Sequence, residues 1–242
     1  MDPHDTDFLN QTRAWYAAGE RDVDSRCGVG KWGDSFRVIE GPGATRLFAA
    51  SVHGWCASMR WLIDHGADVN YCLGSPVHSG GKSALHAALS HGGFDVASML
   101  LDAGARVDAV DCNGRTPLHE APSFIHARNM KPIAACKRLL SLGASLYAID
   151  VAGETPEDYA RRGGCTQAAN FLADVRSAGS WAAYVAEPRA ALLALRQELP
   201  ALRESGRATA PSSVPAHERL FFQAPDDVFS HIITFWCSDR DL

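Results

Sequence analysis

The 242-residue sequence holds no apolar run approaching the ~20 residues that cross a bilayer, so no membrane span is expected. It has no excess of positive charge either. Its 23 Lys and Arg stand against 28 Asp and Glu, a net charge of −5, which removes any general attraction to nucleic acid or an anionic membrane. No two cysteines have C-x-x-C spacing. The seven (Cys27, Cys56, Cys72, Cys112, Cys136, Cys165 and Cys237) are odd in number and scattered. That pattern argues against a zinc ribbon and for reduced thiols in a cytoplasmic or nuclear protein. The opening residues MDPHDTDF are acidic and polar where a secretory leader would be basic and then apolar, so the sequon at Asn10 is expected to stay unglycosylated. No G-x-S-x-G, P-loop or paired-carboxylate signature appears, and no catalytic residue, cofactor or metal is expected. An apolar share of 46% and a charged share of 21% belong to a folded chain rather than a disordered one.

Two near-matches to chemical motifs fail on context or spacing. Gly28-Val29-Gly30-Lys31-Trp32-Gly33 has the letters of a dinucleotide-binding loop. That loop needs a strand before it and a helix opening within it, and neither flank has such a pattern, so a glycine-rich loop is expected. His119-Glu120 begins like a zinc-protease helix, but the next histidine is His126. Two ligands on one helix face must sit about four residues apart to share an ion.

What the sequence does have is self-similarity. Thr116-Pro117-Leu118-His119 has relatives at Ser83-Ala84-Leu85-His86, Thr45-Arg46-Leu47-Phe48 and Thr155-Pro156-Glu157-Asp158. A second phrase recurs at Leu62-Ile63-Asp64-His65-Gly66-Ala67, Leu100-Leu101-Asp102-Ala103-Gly104-Ala105 and Leu139-Leu140-Ser141-Leu142-Gly143-Ala144. The physics of each word is plain. Thr116 suits a helix N-cap and Pro117 the first helical position, leaving Leu118 and Ala121 to face a stack. Gly66, Gly104 and Gly143 each follow an apolar run, where a left-handed residue ends a helix. Small pairs such as Ala49-Ala50 and Ala87-Ala88 permit close helix approach.

These words, their order and their period near 33 residues resemble the ankyrin repeat over residues 41–174, with residues 8–40 resembling a degenerate first unit. The resemblance implies an all-α solenoid of helix pairs with hairpin fingers, and it makes His86 and His119 structural residues that bond to hydroxyl and backbone groups. Glu120 is then an ordinary variable helix position. Asn70 occupies the finger position that asparagine hydroxylases modify in some family members. Departures carry expectations of their own. Pro122 should end its helix early, an insertion lies within Phe124–Lys131, and Pro132 restarts the second helix. A further insertion lies inside Tyr71–Gly81. Glu157 and Asp158, replacing Leu and His, suit an outer face that no further repeat covers.

Ankyrin arrays bind proteins through their fingers and concave face, so the resemblance implies an unknown protein partner rather than an enzyme. The positions it assigns to contact are Val52, His53, Ser90, His91, Ser123 and Phe124, with finger residues Tyr71, Lys82, Cys112, Asn113, Arg115, Val151 and Glu154. Phe124 serves equally well as an anchor or as packing under the adjacent loop. Trp55, Met59 and Trp61 belong to the core.

The chain divides by pattern into a degenerate capping repeat with a long loop (1–40), ankyrin repeats (41–179), a helical extension (180–204), a linker (205–219) and a short amphipathic tail helix (220–242). The extension has Leu192, Leu195, Leu199 and Leu202 at helical spacing. Pro225, Val228, Ile232 and Ile233 resemble the start of an F-box, and Pro188–Arg196 resembles a first SOCS-box helix. The tail therefore has two readings: a cap that covers the last repeat, or a ligase-binding segment, residues 220–238, of a cullin–RING substrate adaptor.

Overall fold

The structure is a computed structural model that describes residues 2–18, 44–72, 80–122 and 131–186. Contacts divide the chain into two compact units, Met1–Ala173 and Asp174–Leu242. In the first unit the elements run α1 (Pro3–Ala17), α2 (Arg46–His53), α3 (Cys56–Asp64), α4 (Ala84–Ala87), α5 (Phe94–Asp102), α6 (Pro117–Glu120), α7 (Pro132–Ser141) and α8 (Pro156–Arg162), followed by α9 (Thr166–Ser177). This is the all-α, repeated helix-pair architecture that the sequence words predict. Among the described residues the extended backbone makes only an isolated antiparallel pairing, Cys72 with Ser83.

Each first helix opens on Thr45, Ser83, Thr116 or Thr155 in extended conformation. The hydroxyls of Thr45, Ser83 and Thr155 each accept from a backbone N–H that the first turn leaves orphaned, from Phe48 (3.2 Å), His86 (3.4 Å) and Asp158 (3.3 Å). Two residues past each cap, Leu47, Leu85 and Leu118 are fully buried; five past it come Ala50, Ala88, Ala121 and Ala160. Alanine there lets neighbouring helices approach closely. The second helices contribute Leu62, Leu100 and Leu139, all at 0% exposure. Burying a leucine of this kind stabilises by about 1.5–3 kcal/mol, so this recurring spine carries the stack.

Gly66, Gly104 and Gly143 close those second helices with φ of 84°, 86° and 92°. The following alanine N–H reaches back to the leucine carbonyl in each case: Ala67 to Leu62 (3.1 Å), Ala105 to Leu100 (2.9 Å) and Ala144 to Leu139 (3.0 Å). This is the glycine-dependent stop seen at many helix ends. Pro122 acts as its ring requires: α6 is a single turn that ends at Glu120, and Pro132 opens α7. In α4 the chain continues into a wider turn, the Gly93 N–H reaching back five residues to Ala88 (2.8 Å).

Of the segment expected to be a degenerate first repeat, residues 8–40, the described part ends at Ala18. It forms the larger part of one 15-residue helix, α1, packed on α3. The start of α3 has no side-chain cap of its own. Asp5 supplies one from α1: its carboxylate accepts from the N–H groups of Ala57 and Ser58, both at 3.0 Å, and from the Ser58 hydroxyl. An anion at a helix N-terminus also meets the positive end of the helix dipole. Around it, Phe8 packs on Trp55 (4.8 Å between ring centres), Tyr16 on Trp61 (5.4 Å), and the Arg46 guanidinium lies 3.7 Å over Trp15. Trp55 and Met59 are core, as expected; Trp61 is only half-buried and stacks on His65 at 3.8 Å.

In the second unit the described residues are 174–186. Residues 181–186 are helical, Ser180 caps them by accepting from the Ala183 N–H (3.1 Å), and Trp181 stacks on Tyr184 at 5.8 Å. The glycine-rich loop 28–33, the insertions at 73–79 and 123–130, and the tail bearing the F-box-like and SOCS-box-like resemblances (187–242) lie outside the described residues.

Replacing Asp5 with Ala should destabilise the protein by about 1–3 kcal/mol, the cost of leaving buried donors unmatched. Urea unfolding read by Trp fluorescence checks this. Asp7→Ala, at an exposed position of the same helix, should leave the midpoint unchanged.

Candidate functional site

The four caps generate the surface on which any function rests. Three residues after the cap stands His86 or His119, each with no exposed surface. The Ser83 N–H donates to His86 Nδ1 at 3.2 Å, and the Thr116 N–H donates to His119 Nδ1 at 3.1 Å. An amide can only donate, so Nδ1 carries the lone pair and the proton sits on Nε2. Nε2–H then donates across to the next finger: His86 to the Arg115 carbonyl (3.0 Å), His119 to the Glu154 carbonyl (3.2 Å). Burial pushes both imidazoles below their ordinary pKa, outweighing the nearby acidic groups, so each is held neutral. These are structural histidines, as the resemblance implies. The first unit has Phe48 in this place, in an apolar cluster with Ala44, Val52 and Ala87. The fourth has Asp158, which keeps the local half of the motif by accepting from the Thr155 N–H (3.2 Å) and hydroxyl (2.6 Å).

A second inter-repeat relation appears one residue further on. The finger residue before each cap meets the residue four past the cap in the next unit. Ala44 and Ala87 share the apolar cluster; Lys82 Nζ lies 3.4 Å from Glu120 Oε1; the Arg115 guanidinium lies 4.7 Å over the Tyr159 ring. The contact passes from apolar to ionic to cation–π along the array. Glu120 is therefore not an ordinary variable position. It is 3% exposed, and its other oxygen accepts from the Ser90 hydroxyl at 2.9 Å. Tyr159 is covered from a second direction by the Arg162 guanidinium (4.9 Å), which pairs with Glu154 at 2.9 Å. Arg115 also stands 3.7 Å from Asp150.

The fingers have their own internal logic. Asp111 Oδ1 accepts from the N–H groups of Asn113 (2.8 Å) and Arg115 (2.9 Å), and Asp150 Oδ1 from those of Ala152 (2.8 Å) and Glu154 (3.0 Å). Burial pushes the Asp150 carboxyl up, but these donors and Arg115 outweigh it and hold it below its ordinary range. Adjacent fingers are joined by backbone bonds of 2.8 Å, Cys112 N–H to the Gly80 carbonyl and Val151 N–H to the Asn113 carbonyl. A Cβ on Gly81 would stand 3.1 Å from the Asp111 backbone, and φ there is +73°, so this approach requires glycine.

Two residues assigned to contact are in the core. Val52 is 5% exposed within the apolar cluster, and Ser90 is 5% exposed with its hydroxyl also placed on the His86 carbonyl at 2.8 Å. Both stand seven residues past a cap, on the same helix face as the third and fourth positions, and so turn into the stack. Glu157 is also buried rather than lying on an open face, its carboxylate paired with Arg161 at 2.8 Å, whereas Asp158 is exposed. Lys82, Asn113, Arg115 and Glu154 are half-exposed and belong to the networks above. His53, His91 and Tyr71 are also half-exposed, His53 stacking on Trp55 at 4.6 Å. Cys112 is exposed, and Val151 is 76% exposed. Ser123 and Phe124 lie outside the described residues. Asn70 is exposed and spans to the next unit, its carboxamide accepting from the Arg106 N–H (2.9 Å) and donating to the Gly104 carbonyl (3.3 Å).

Sequence reasoning missed Glu120, Asp111, Asp150, Tyr159 and the exposed finger residues Val110, Tyr147 and Ile149. The recurrence of Asp three residues before the finger glycine, in DCNGRT and DVAGET, could have found the two aspartates. Among the described residues no group of three or more His, Cys, Asp or Glu could hold a metal ion, and no helix is long and apolar enough to cross a membrane.

Tandem helix pairs, joined by laterally paired fingers and by histidine-to-carbonyl bonds, define a repeat-built protein. Residues 33–111 match the family model described as ankyrin repeats (3 copies). The chain is also similar to a tyrosine-protein kinase, HTK16, of Hydra vulgaris, at 31% identity over 109 residues. That match covers 33% of this chain and 14% of the kinase. Cortactin-binding protein 2 of Rattus norvegicus is 40% identical over 75 residues, 31% of this chain and 4% of that protein. The chain thus spans only a small part of these relatives, and the activity in the kinase's name is said of that protein. Residues 33–111 of this chain are ankyrin repeats. Ankyrin repeats are in general protein–protein interaction modules.

The neutral histidines give stability a defined pH sense. In the unfolded chain an imidazole protonates near its ordinary pKa of about 6.5, whereas in the fold His86 and His119 do so only at lower pH. The unfolded state then binds more protons, so their contribution is complete above about pH 6.5 and declines as pH falls towards the folded-state values. Urea midpoints should drop between about pH 7.5 and pH 5.5. The drop should shrink in the variant His86→Gln/His119→Gln.

Proposed function

We propose that this chain is a protein-interaction scaffold that takes its partner on the fingers and on the adjoining half-exposed residues of the first helices. One observation carries the reading. Of the five large apolar side chains exposed among the described residues, four sit on the fingers: Val110 (57%), Tyr147 (61%), Ile149 (63%) and Val151 (76%). Exposed apolar groups collected at one place mark a binding site on a soluble protein. Tyr71, Cys112, Asn113, His53 and His91 extend the face. Lys82, Arg115 and Glu154 give it fixed charges whose positions are set by their partners in the next unit. Val52 and Ser90 support this face from beneath and make no contact. No residue here is assigned a catalytic role.

Capture of partners by the tagged full-length chain, compared with the variant Ile149→Glu/Val151→Glu, tests this. Both side chains are solvent-exposed, so circular dichroism should show an intact fold. Recovery of specific partners should fall about tenfold or more, as when central apolar anchors are lost. Unchanged recovery would remove the reading.

A further inference from the structure

We propose that Asn113 is a site of spontaneous deamidation by water, and that its product releases the finger that carries it from the next one. The sequence has five asparagines, and only Asn113 is followed by glycine. The chemistry turns on that neighbour. The main-chain nitrogen of the following residue attacks the asparagine Cγ, and a side chain there obstructs the approach; glycine has none. A bond forms from Gly114 N to Asn113 Cγ, the Cγ–Nδ2 bond breaks, and ammonia leaves with the Gly114 proton. Water then opens the cyclic imide at either carbonyl. Addition at Cγ leaves aspartate. Addition at the main-chain carbon leaves isoaspartate, in which the chain runs through the former side chain. In balance a water is taken up and an ammonia released, with no change of oxidation state.

The finger turn sets both the rate and the consequence. Asn113 and Gly114 are half-exposed beside the exposed Cys112, so water reaches them. In the closed turn, however, the attacking nitrogen is engaged, its N–H donating to the Asp111 carbonyl at 2.9 Å. Asn113 is tied to the Asp111 carboxylate by its own N–H (2.8 Å) and by its carboxamide (3.4 Å). The reaction therefore runs through local opening of the turn, which surface loops undergo without global unfolding. Its product matters because of what this peptide holds. The Asn113 carbonyl accepts from the Val151 N–H at 2.8 Å, and a Cβ on Gly114 would stand 3.4 Å from the Asp150 and Val151 backbone. The two fingers meet there. In isoaspartate that carbonyl leaves the main chain as a free carboxylate and the backbone gains a methylene, so the geometry of the bond to Val151 is lost.

Incubation of the folded full-length chain for weeks at body temperature in mildly alkaline buffer tests the inference. Peptides are mapped by mass spectrometry, with an isoaspartyl methyltransferase marking isoaspartate. The Asn113 peptide should convert, mainly to isoaspartate, while the peptides of the other four asparagines stay intact. Conversion should be about tenfold or more faster in chain unfolded by guanidinium chloride, where no turn has to open. Asn113→Gln should show none, which separates this route from isomerisation of Asp111. In the converted chain the Val151 amide should exchange with deuterated solvent about tenfold or more faster, whereas Asn113→Asp, whose main chain stays regular, should leave it protected. An Asn113 peptide that stays intact in the folded chain, or converts no faster once unfolded, would overturn the inference. So would equal conversion at the other asparagines, isoaspartate that persists in Asn113→Gln, or a Val151 amide still protected beside isoaspartate.

Discussion

A neutral imidazole that accepts from its own helix cap and donates to the neighbouring finger is the constraint on which the rest of this structure depends. Each such ring closes two accounts of backbone polarity at once: an amide at the start of one unit and a carbonyl in the next. It does so where water cannot substitute, since His86 and His119 have no exposed surface. A single unit could satisfy only the first of these bonds. Repeats of this kind are therefore stable through their neighbours rather than alone. The flanking units bear this out in their chemistry. Phe48 replaces the ring by apolar packing, and Asp158 keeps the bonds to its own cap.

The same constraint separates structural from available positions. Counted from the cap, the second, third, fifth and seventh residues are committed to the stack, as Leu118, His119, Ala121 and Ser90 illustrate. The finger aspartates are committed too, turned inward onto their own turns. What remains exposed is the outer edge of the fingers, and there Val110, Tyr147, Ile149 and Val151 gather. The polar row Lys82–Glu120 and Arg115–Tyr159–Arg162 lies between these extremes: it holds successive units together and still leaves cationic side chains partly in solvent. A scaffold braced by paired charges can present an uncharged edge at a fixed position without exposing an unbalanced field.

Much of the fold was legible in the sequence because its words are local. A Thr-Pro pair, a glycine after an apolar run and a proline six residues past a cap each act within one turn of backbone, and each element stands where those signals put it. What escaped the sequence depends on the neighbouring unit. Whether position four past the cap is solvent-facing or buried depends on the finger before it. Glu120 is buried because Lys82 and Ser90 meet it there, and no local pattern around Glu120 announces that. Val52 and Ser90 were misplaced for the related reason that a helix seven residues on returns to its starting face. Asp5 is the most distant case, capping a helix some fifty residues away. The finger edge was half legible: Val151 was named from its place in the repeat, whereas the exposure of Tyr147 and Ile149 shows only in the fold.

The measurement that bears most directly on this account is nitrogen-detected NMR of the imidazole side chains of His86 and His119 as pH is lowered. The account predicts that both rings hold the proton on Nε2, with Nδ1 shifts of an unprotonated acceptor that persist below pH 6.5 for as long as the chain stays folded. Rings protonated on Nδ1, or rings that titrate near 6.5 like free histidine while the fold persists, would contradict it.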